Sequence, residues 1–160
     1  MYISPSLREL MRGDEVAGIN SSIWRGLFAH AFGILVNDIR GQVRPNPDSP
    51  EFIFERGLMF DILHFADLAL IDYAAAIEKN PSSSKYYNNR GMIYLMTGYP
   101  RLAVLDLTRA IELSPERPEL FLNRGKAREN CGDDAGARED YRKAVELGIC
   151  DRYPSLKICK

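Results

Sequence analysis

The chain has 160 residues, of which 46% are apolar and 27% charged, and its formal net charge is −1. This composition is typical of a soluble, folded chain rather than a disordered one. Acidic and basic residues are interspersed, so there is no basic surface for nucleic acid or an anionic membrane. No apolar stretch is long enough for an integral membrane segment. The chain start lacks the basic and apolar regions of a secretory signal, and we therefore expect a cytoplasmic location by default.

Residues 1–49 are predicted to form a helical extension that ends in a proline-rich connection. Residues 22–40 carry an apolar stripe at helical spacing, which includes Trp24, Leu27, Phe28 and Leu35. Three arrangements fit this stripe. The helix packs on the following helices as a cap, it fills their binding surface, or it pairs with its own copy in a homodimer.

An internal period of 34 residues follows the extension. It is carried by three Arg-Gly pairs, Arg56-Gly57, Arg90-Gly91 and Arg124-Gly125, and by two alanine columns, Ala69/Ala103/Ala137 and Ala76/Ala110/Ala144. The period defines units 50–83, 84–117 and 118–151, and it predicts one pair of packed helices in each unit. Helix A is predicted at 53–63, 86–97 and 119–131, and helix B at 66–79, 100–113 and 134–147.

Turn residues separate the predicted helices. Gly98 and Gly132 turn the chain between helix A and helix B, and Pro81 and Pro115 prevent helix B from continuing. The first unit has His64 in place of the turn glycine, so we expect a tighter or less regular corner there. Residues 152–160 are too short for a further unit and are predicted to form a short C-terminal cap.

The columns of this period resemble the tetratricopeptide repeat. That family has a large residue at position four of each unit, glycine at eight, alanine at twenty and 27, an aromatic residue at 24 and proline at 32. The resemblance covers roughly 51–150 and implies an all-α fold, a right-handed α-solenoid of three helical hairpins. It also implies a non-catalytic function in protein–protein interaction, as an adaptor or scaffold that binds a protein or peptide partner and needs no cofactor.

In tetratricopeptide arrays, ligands lie in a concave groove lined by the A helices. Carried over by position, the resemblance implies a partner-binding groove formed by Phe54, Leu58, Asp61, Lys85, Asn88, Asn89, Met92, Leu95, Leu122, Asn123 and Lys126. Its floor would be largely apolar, and its methionine would adapt to different side chains. Asn89 and Asn123, both at position six, could hold a peptide backbone through their amides.

One subfamily, which clamps the acidic C-terminal tail of chaperones, can be tested by position. It needs lysine at five and asparagine at nine in one unit, asparagine at six in the next, and lysine at two with a basic residue at six in the third. Asn89 fits, but Phe54, Leu58, Glu119 and Asn123 occupy the other four positions. Glu119 would also repel a carboxylate, so we expect no such clamp.

No catalytic or metal-binding residues are predicted. His30 and His64 have no ligand spacing to a cysteine or carboxylate, and no glycine-rich phosphate loop is present. The three cysteines, Cys131, Cys150 and Cys159, lack CxxC spacing, which favours reduced thiols, although Cys150 and Cys159 are near enough in sequence to pair if oxidised. The alternative function is that of a small type III secretion chaperone, a class similar in size and in its hydrophobic groove.

Overall fold

The computed structural model of the chain describes residues 46 and 48–159, and within them the regular structure is helical without strands. The elements are α1 (Pro50–Ile62), α2 (Ala66–Lys79), α3 (Ser84–Met96), α4 (Pro100–Leu113), α5 (Pro118–Asn130), α6 (Asp134–Glu146), α7 (Ile149–Arg152) and a 3-10 turn (Lys157–Cys159). The predicted N-terminal helix, with Trp24, Leu27, Phe28 and Leu35, lies outside the described residues.

The long helices pack in consecutive pairs. Helices α1 and α2 form hairpin 1, α3 and α4 form hairpin 2, and α5 and α6 form hairpin 3. Each hairpin also packs against the next, because its second helix contacts the first helix of the following hairpin. The predicted all-α solenoid of three helical hairpins is confirmed for this part of the chain.

The first helix of each hairpin begins one to three residues earlier than predicted. Pro50 and Pro118 occupy the first turn of α1 and α5, where proline is favoured because its missing N–H would be unpaired anyway. The Ser49 side chain accepts a hydrogen bond from the Phe52 N–H at 3.2 Å and so caps α1. The capping signals therefore extend these helices beyond the start of their apolar spacing.

The glycine column marks the close crossing inside each hairpin. A Cβ atom on Gly57 would lie 2.8 Å from a ring carbon of Tyr73, and one on Gly125 would lie 2.5 Å from a ring carbon of Tyr141. Such distances leave no room for a side chain, so the position-24 ring occupies the space that glycine leaves. The two alanine columns are fully or almost fully buried beside this crossing.

The C-terminal cap contains a disulfide, which corrects the prediction of reduced thiols. Cys150 and Cys159 are bonded, with their Cα atoms 5.6 Å apart, whereas Cys131 is free and exposed. The pair meets because the chain reverses after α7, and Leu156 and Ile158 then pack against the cluster formed by Phe121 and Ile149. Sequence spacing could not show this reversal, since it depends on the apolar end of hairpin 3.

All three hairpin corners have the same hydrogen-bond pattern, so the expectation of a less regular first corner was wrong. The Phe65 N–H donates to the Phe60 carbonyl at 2.8 Å, and the Tyr99 N–H donates to the Tyr94 carbonyl at the same distance. This bond belongs to the Schellman motif, in which the residue after the helix cap is left-handed. Glycine supplies that conformation at Gly98 (φ 86°), but in hairpin 1 it is adopted by His64 (φ 62°).

We predict that His64→Gly stabilises the protein. A side chain in the left-handed region costs about 1 kcal/mol or more relative to glycine, and part of that cost is offset because glycine is freer in the unfolded chain. The expected gain is about 0.5–1 kcal/mol in the free energy of unfolding, measured by urea denaturation. Gly98→Ala is the matched control: a Cβ atom at this position would meet no neighbouring atom within 4 Å, so its expected loss of about 1 kcal/mol comes from backbone conformation alone. A destabilised His64→Gly protein would contradict this account of the corner.

Candidate functional site

The arginines of the Arg-Gly pairs lie inside the hairpins, where each pairs with an aspartate of the second helix. Arg56 donates two hydrogen bonds to Asp72, at 2.7 and 2.6 Å. The same two-bond pairing joins Arg90 to Asp106 and Arg124 to Asp140. The aspartates are buried, with exposures of 3%, 7% and 2%. Hydrogen bonding to Asp72 raises the pKa of Arg56, against the effect of burial, so the guanidinium stays charged.

This aspartate column was missed at the sequence level. Asp72, Asp106 and Asp140 have the same 34-residue spacing as the arginines, and each follows its arginine by 16 residues. This spacing is the sequence feature that could have revealed the aspartate column. A carboxylate removed from water costs several kcal/mol unless it is paired, so the column indicates a structural ion pair in every hairpin.

The residues at positions twelve and 24 form a second pair of columns between the two helices of each hairpin. In hairpin 3 the Tyr141 hydroxyl donates to a carboxylate oxygen of Glu129. In hairpin 2 the equivalent residues are Leu107 and Leu95, which pack in one apolar cluster. Asp61 and Leu95, predicted as groove residues, thus stand at positions whose equivalent in hairpin 3 contacts the second helix of its own hairpin.

Hairpin 1 has the same pairing with a shorter acid. Tyr73 and Asp61 stand where hairpin 3 has Tyr141 and Glu129. The Tyr73 hydroxyl is buried and has no hydrogen-bond partner among the described residues. Burial raises the pKa of Tyr73 well above its usual value, and the nearby charge of Asp61 adds to that shift. Aspartate is one methylene shorter than glutamate, which explains why the hydrogen bond is missing.

Phe54 belongs to the core and not to an open groove. It is 4% exposed, and its ring centroid lies 5.4 Å from that of Tyr73 and 4.8 Å from that of Tyr86. The Lys85 ammonium lies 4.9 Å from the centre of the Phe54 ring, a cation–π contact. A partner on this side of the hairpins would therefore meet Lys85, which is exposed, before it met Phe54.

The predicted asparagines are engaged within the protein. The Asn123 amide donates to the Asn88 side-chain oxygen at 2.9 Å, which links hairpins 2 and 3. The Asn89 amide donates to the Lys85 carbonyl at 2.8 Å in its own helix. The Asn88–Asn123 bond shows that these faces of α3 and α5 are adjacent. It uses one donor of Asn123 and one acceptor of Asn88, so the Asn123 side-chain oxygen and the Asn88 amide can still bond a peptide backbone.

The negative charge of Glu119 is paired with an arginine of the C-terminal cap. Arg152 of α7 donates to a Glu119 carboxylate oxygen, and Arg117 lies 4.0 Å from the other oxygen. Burial opposes the charge of Glu119, but hydrogen bonds from its own backbone N–H and from Arg152 outweigh burial and lower its pKa. Glu119 is therefore not the free negative charge that the sequence suggested. The main evidence against a carboxylate clamp is that Phe54 and Asn123 replace its cations and that Leu58 replaces its asparagine.

The remaining predicted residues form what we call the A-helix surface: Leu58, Met92, Leu122 and Lys126, together with Lys85, Asn88 and Asn123. Leu58, Met92 and Leu122 are partly exposed, and Lys85 and Lys126 are exposed. Leu58 and Leu122 also pack against the core clusters beneath them. This surface combines apolar side chains, two amides and two cations, which is suited to holding a polypeptide segment.

Among the described residues, no cluster of histidine, cysteine and carboxylate side chains has the arrangement of a metal site. None of the helices in this part of the chain is long and apolar enough to span a bilayer. The A-helix surface supplies apolar area and hydrogen-bonding groups.

We predict that the two position-24 tyrosines respond differently to loss of the hydroxyl. Tyr141→Phe removes a hydrogen bond to a carboxylate and should lower the free energy of unfolding by about 1 kcal/mol. Tyr73→Phe removes a buried hydroxyl without a partner and should be neutral or stabilising by up to about 1 kcal/mol. Urea denaturation of both variants measures the difference, and Asp61→Glu, which restores the longer acid, is expected to stabilise only the protein that retains Tyr73. Equal losses in the two variants would contradict the assignment.

Comparison with known proteins agrees with this architecture. The model of the tetratricopeptide repeat family matches residues 84–117 and 118–147, which contain hairpins 2 and 3. None of the curated protein sequences compared with the chain shows significant similarity. Hairpin 1 lies outside the matched residues, yet it has the same corner, Arg–Asp pair and glycine–ring contact as hairpin 3.

Solved structures with the same fold include several tetratricopeptide domains. The tetratricopeptide domain of Arabidopsis OM64 is 27% identical, with a TM-score of 0.62 over 69% of this chain and 87% of that domain. The second such domain of Spaghetti (RPAP3), bound to the HSP90 peptide SRMEEVD, is 26% identical, with a TM-score of 0.61 over 62% and 92%. The second domain of human RPAP3, in complex with the HSP70 peptide SGPTIEEVD, is 25% identical, with a TM-score of 0.61 over 69% and 92%. The sequence match identifies residues 84–147 as tetratricopeptide repeats, and the described helices share the fold of solved tetratricopeptide domains.

Proposed function

We propose that the chain is a non-catalytic protein-interaction module, an adaptor or scaffold that binds a segment of a partner protein on the A-helix surface. The observation that carries the proposal is that different residues of each hairpin serve folding and remain exposed for binding. The Arg–Asp pair, the glycine and the large side chain at position 24 hold the two helices together. Leu58, Met92 and Leu122 remain partly exposed on the first helices.

The similar domains support this proposal without naming the ligand. The two RPAP3 domains are bound to peptides that end in EEVD. This chain lacks the cations that a carboxylate clamp requires, since Phe54 is buried in the core and Asn123 is bonded to Asn88. Its ligand is therefore a segment with apolar side chains, held by Leu58, Met92 and Leu122, whose backbone bonds to the amides of Asn88 and Asn123.

The cytoplasmic location is a prediction from the sequence alone. Disulfides persist mainly in oxidising environments, so the Cys150–Cys159 bond argues against a strongly reducing one. The alternative function, that of a type III secretion chaperone, predicts a different kind of partner. Capture of one membrane-active client would favour a type III secretion chaperone, whereas a stable assembly of several proteins would favour a scaffold.

We predict that Leu58→Glu combined with Met92→Glu abolishes partner binding and leaves helicity intact. Buried carboxylates in an apolar contact are costly, and central interface residues commonly contribute about 2 kcal/mol or more each. The partner is first identified by crosslinking and affinity capture with mass spectrometry, using the full chain as bait. Its affinity for each purified variant is then measured by isothermal titration calorimetry, with circular dichroism as the check on folding.

Two controls make this measurement decisive. Arg138→Glu changes an exposed residue of α6 away from the A-helix surface and should retain wild-type affinity. Because Leu58 also packs against the core, Met92→Glu alone provides a second test and should weaken binding about tenfold or more. The peptide SRMEEVD should not bind with a Kd below about 1 mM. Unchanged partner affinity in both glutamate variants would move the binding site to another face.

A further inference from the structure

A row of apolar side chains runs along the outer face of hairpins 1 and 2. Its members are Phe65, Leu68 and Ile71 in hairpin 1 and Tyr99, Leu102 and Leu105 in hairpin 2. We call these six residues the outer ladder. Residues three apart on a helix share one face, and the two sets stand in the same register 34 residues apart. Ile71 is 56% exposed and Leu105 is 67% exposed, so the ladder faces water.

Hairpin 3 shows that the fold itself does not require the ladder. At the equivalent positions it carries Asp133, Gly136 and Glu139, and its crossing is packed in the same way as in hairpin 1. The ladder residues are thus exposed or partly exposed apolar side chains without a structural role inside their own hairpin. Exposed apolar rows of this kind mark surfaces that are covered by another molecule.

The charges beside the ladder indicate what covers it. Asp67 and Arg101 occupy the same position in hairpins 1 and 2, one turn before Ile71 and Leu105. Both are exposed, they have opposite signs, and neither forms an ion pair within the described part of the chain. At this one position the surface is complementary to itself, because its first half carries a negative charge and its second half a positive one.

We propose that the outer ladder is a homodimer interface, covered by a second copy of this chain. A two-fold axis parallel to the helices would place α2 of one copy against α4 of the other, with the helix directions preserved. Asp67 of each copy would then face Arg101 of the other copy, and Ile71 would face Leu105. Such an interface is isologous, because every contact occurs twice.

This arrangement has a consequence for binding. The A-helix surface lies on the first helices of the hairpins, and the outer ladder lies at the start of the second helices and on their outer face. Both A-helix surfaces would remain open in the dimer, and a partner with two binding segments would gain avidity from the pair. The outer ladder could form a dimer even if the A-helix surface bound no partner. It could also do so if the N-terminal stripe at Trp24 did not pair with its copy.

The test is the oligomeric state of the full chain in a Cys131→Ser background, which removes the exposed thiol and with it intermolecular disulfides. Sedimentation equilibrium should show a monomer–dimer equilibrium for the parent protein. Leu105→Glu should raise the dimer Kd about tenfold or more, because it places charge in the apolar row. Asp67→Arg and Arg101→Asp should each weaken the dimer, and the double variant should restore it, since the exchanged charges again face each other.

The matched control is Glu139→Lys, which changes the equivalent position in hairpin 3 and should leave the dimer unchanged. Circular dichroism of each variant verifies folding, which should be retained at the exposed positions Asp67, Arg101, Leu105 and Glu139. A monomeric parent protein at about 0.1 mM would overturn the proposal. It would be equally overturned by a dimer that withstands Leu105→Glu and dissociates on Trp24→Asp, or by charge exchanges whose double variant is no better than the singles.

Discussion

Each hairpin of this protein is built around a buried carboxylate that has to be neutralised. Asp72, Asp106 and Asp140 lie on the second helices, where water is almost excluded, and a lone carboxylate there would cost several kcal/mol. The arginine of the first helix meets that requirement with two hydrogen bonds of fixed geometry. Because both bonds form only in one register of the two helices, the pair also specifies how the hairpin closes.

This constraint divides the surface of the first helices between folding and binding. Arginine at position seven and glycine at position eight serve the hairpin, and position twelve contacts the second helix in hairpin 3 through Glu129. Leu58, Met92 and Leu122 pack only partly, so the A-helix surface can vary in chemistry without loss of the fold. The fold does not require apolar residues on the outer face either, because hairpin 3 has Glu139 where hairpin 2 has Leu105.

The repeating features of the fold could be predicted from the sequence, and its individual departures could not. The period located the six long helices that the structure describes between Pro50 and Glu146, because glycine, alanine and proline act through the local backbone and close packing. The burial of Phe54 depends on rings from two other helices, and the left-handed His64 depends on the packing of the whole corner. The Cys150–Cys159 bond likewise depends on where the last turn packs. The aspartate column was available in the sequence, but its meaning required the distance to the arginine.

The central claim is that the Arg–Asp pair, and not the apolar crossing alone, determines hairpin closure. A double-mutant cycle on Arg90 and Asp106 tests it most directly, with the free energy of unfolding measured by urea denaturation. Arg90→Met alone should cost about 3 kcal/mol, because it leaves Asp106 buried and unpaired. The double variant Arg90→Met/Asp106→Leu should recover most of that loss, which corresponds to a coupling energy of about 2 kcal/mol or more. Two single losses that add to the double loss within about 0.5 kcal/mol would contradict the claim.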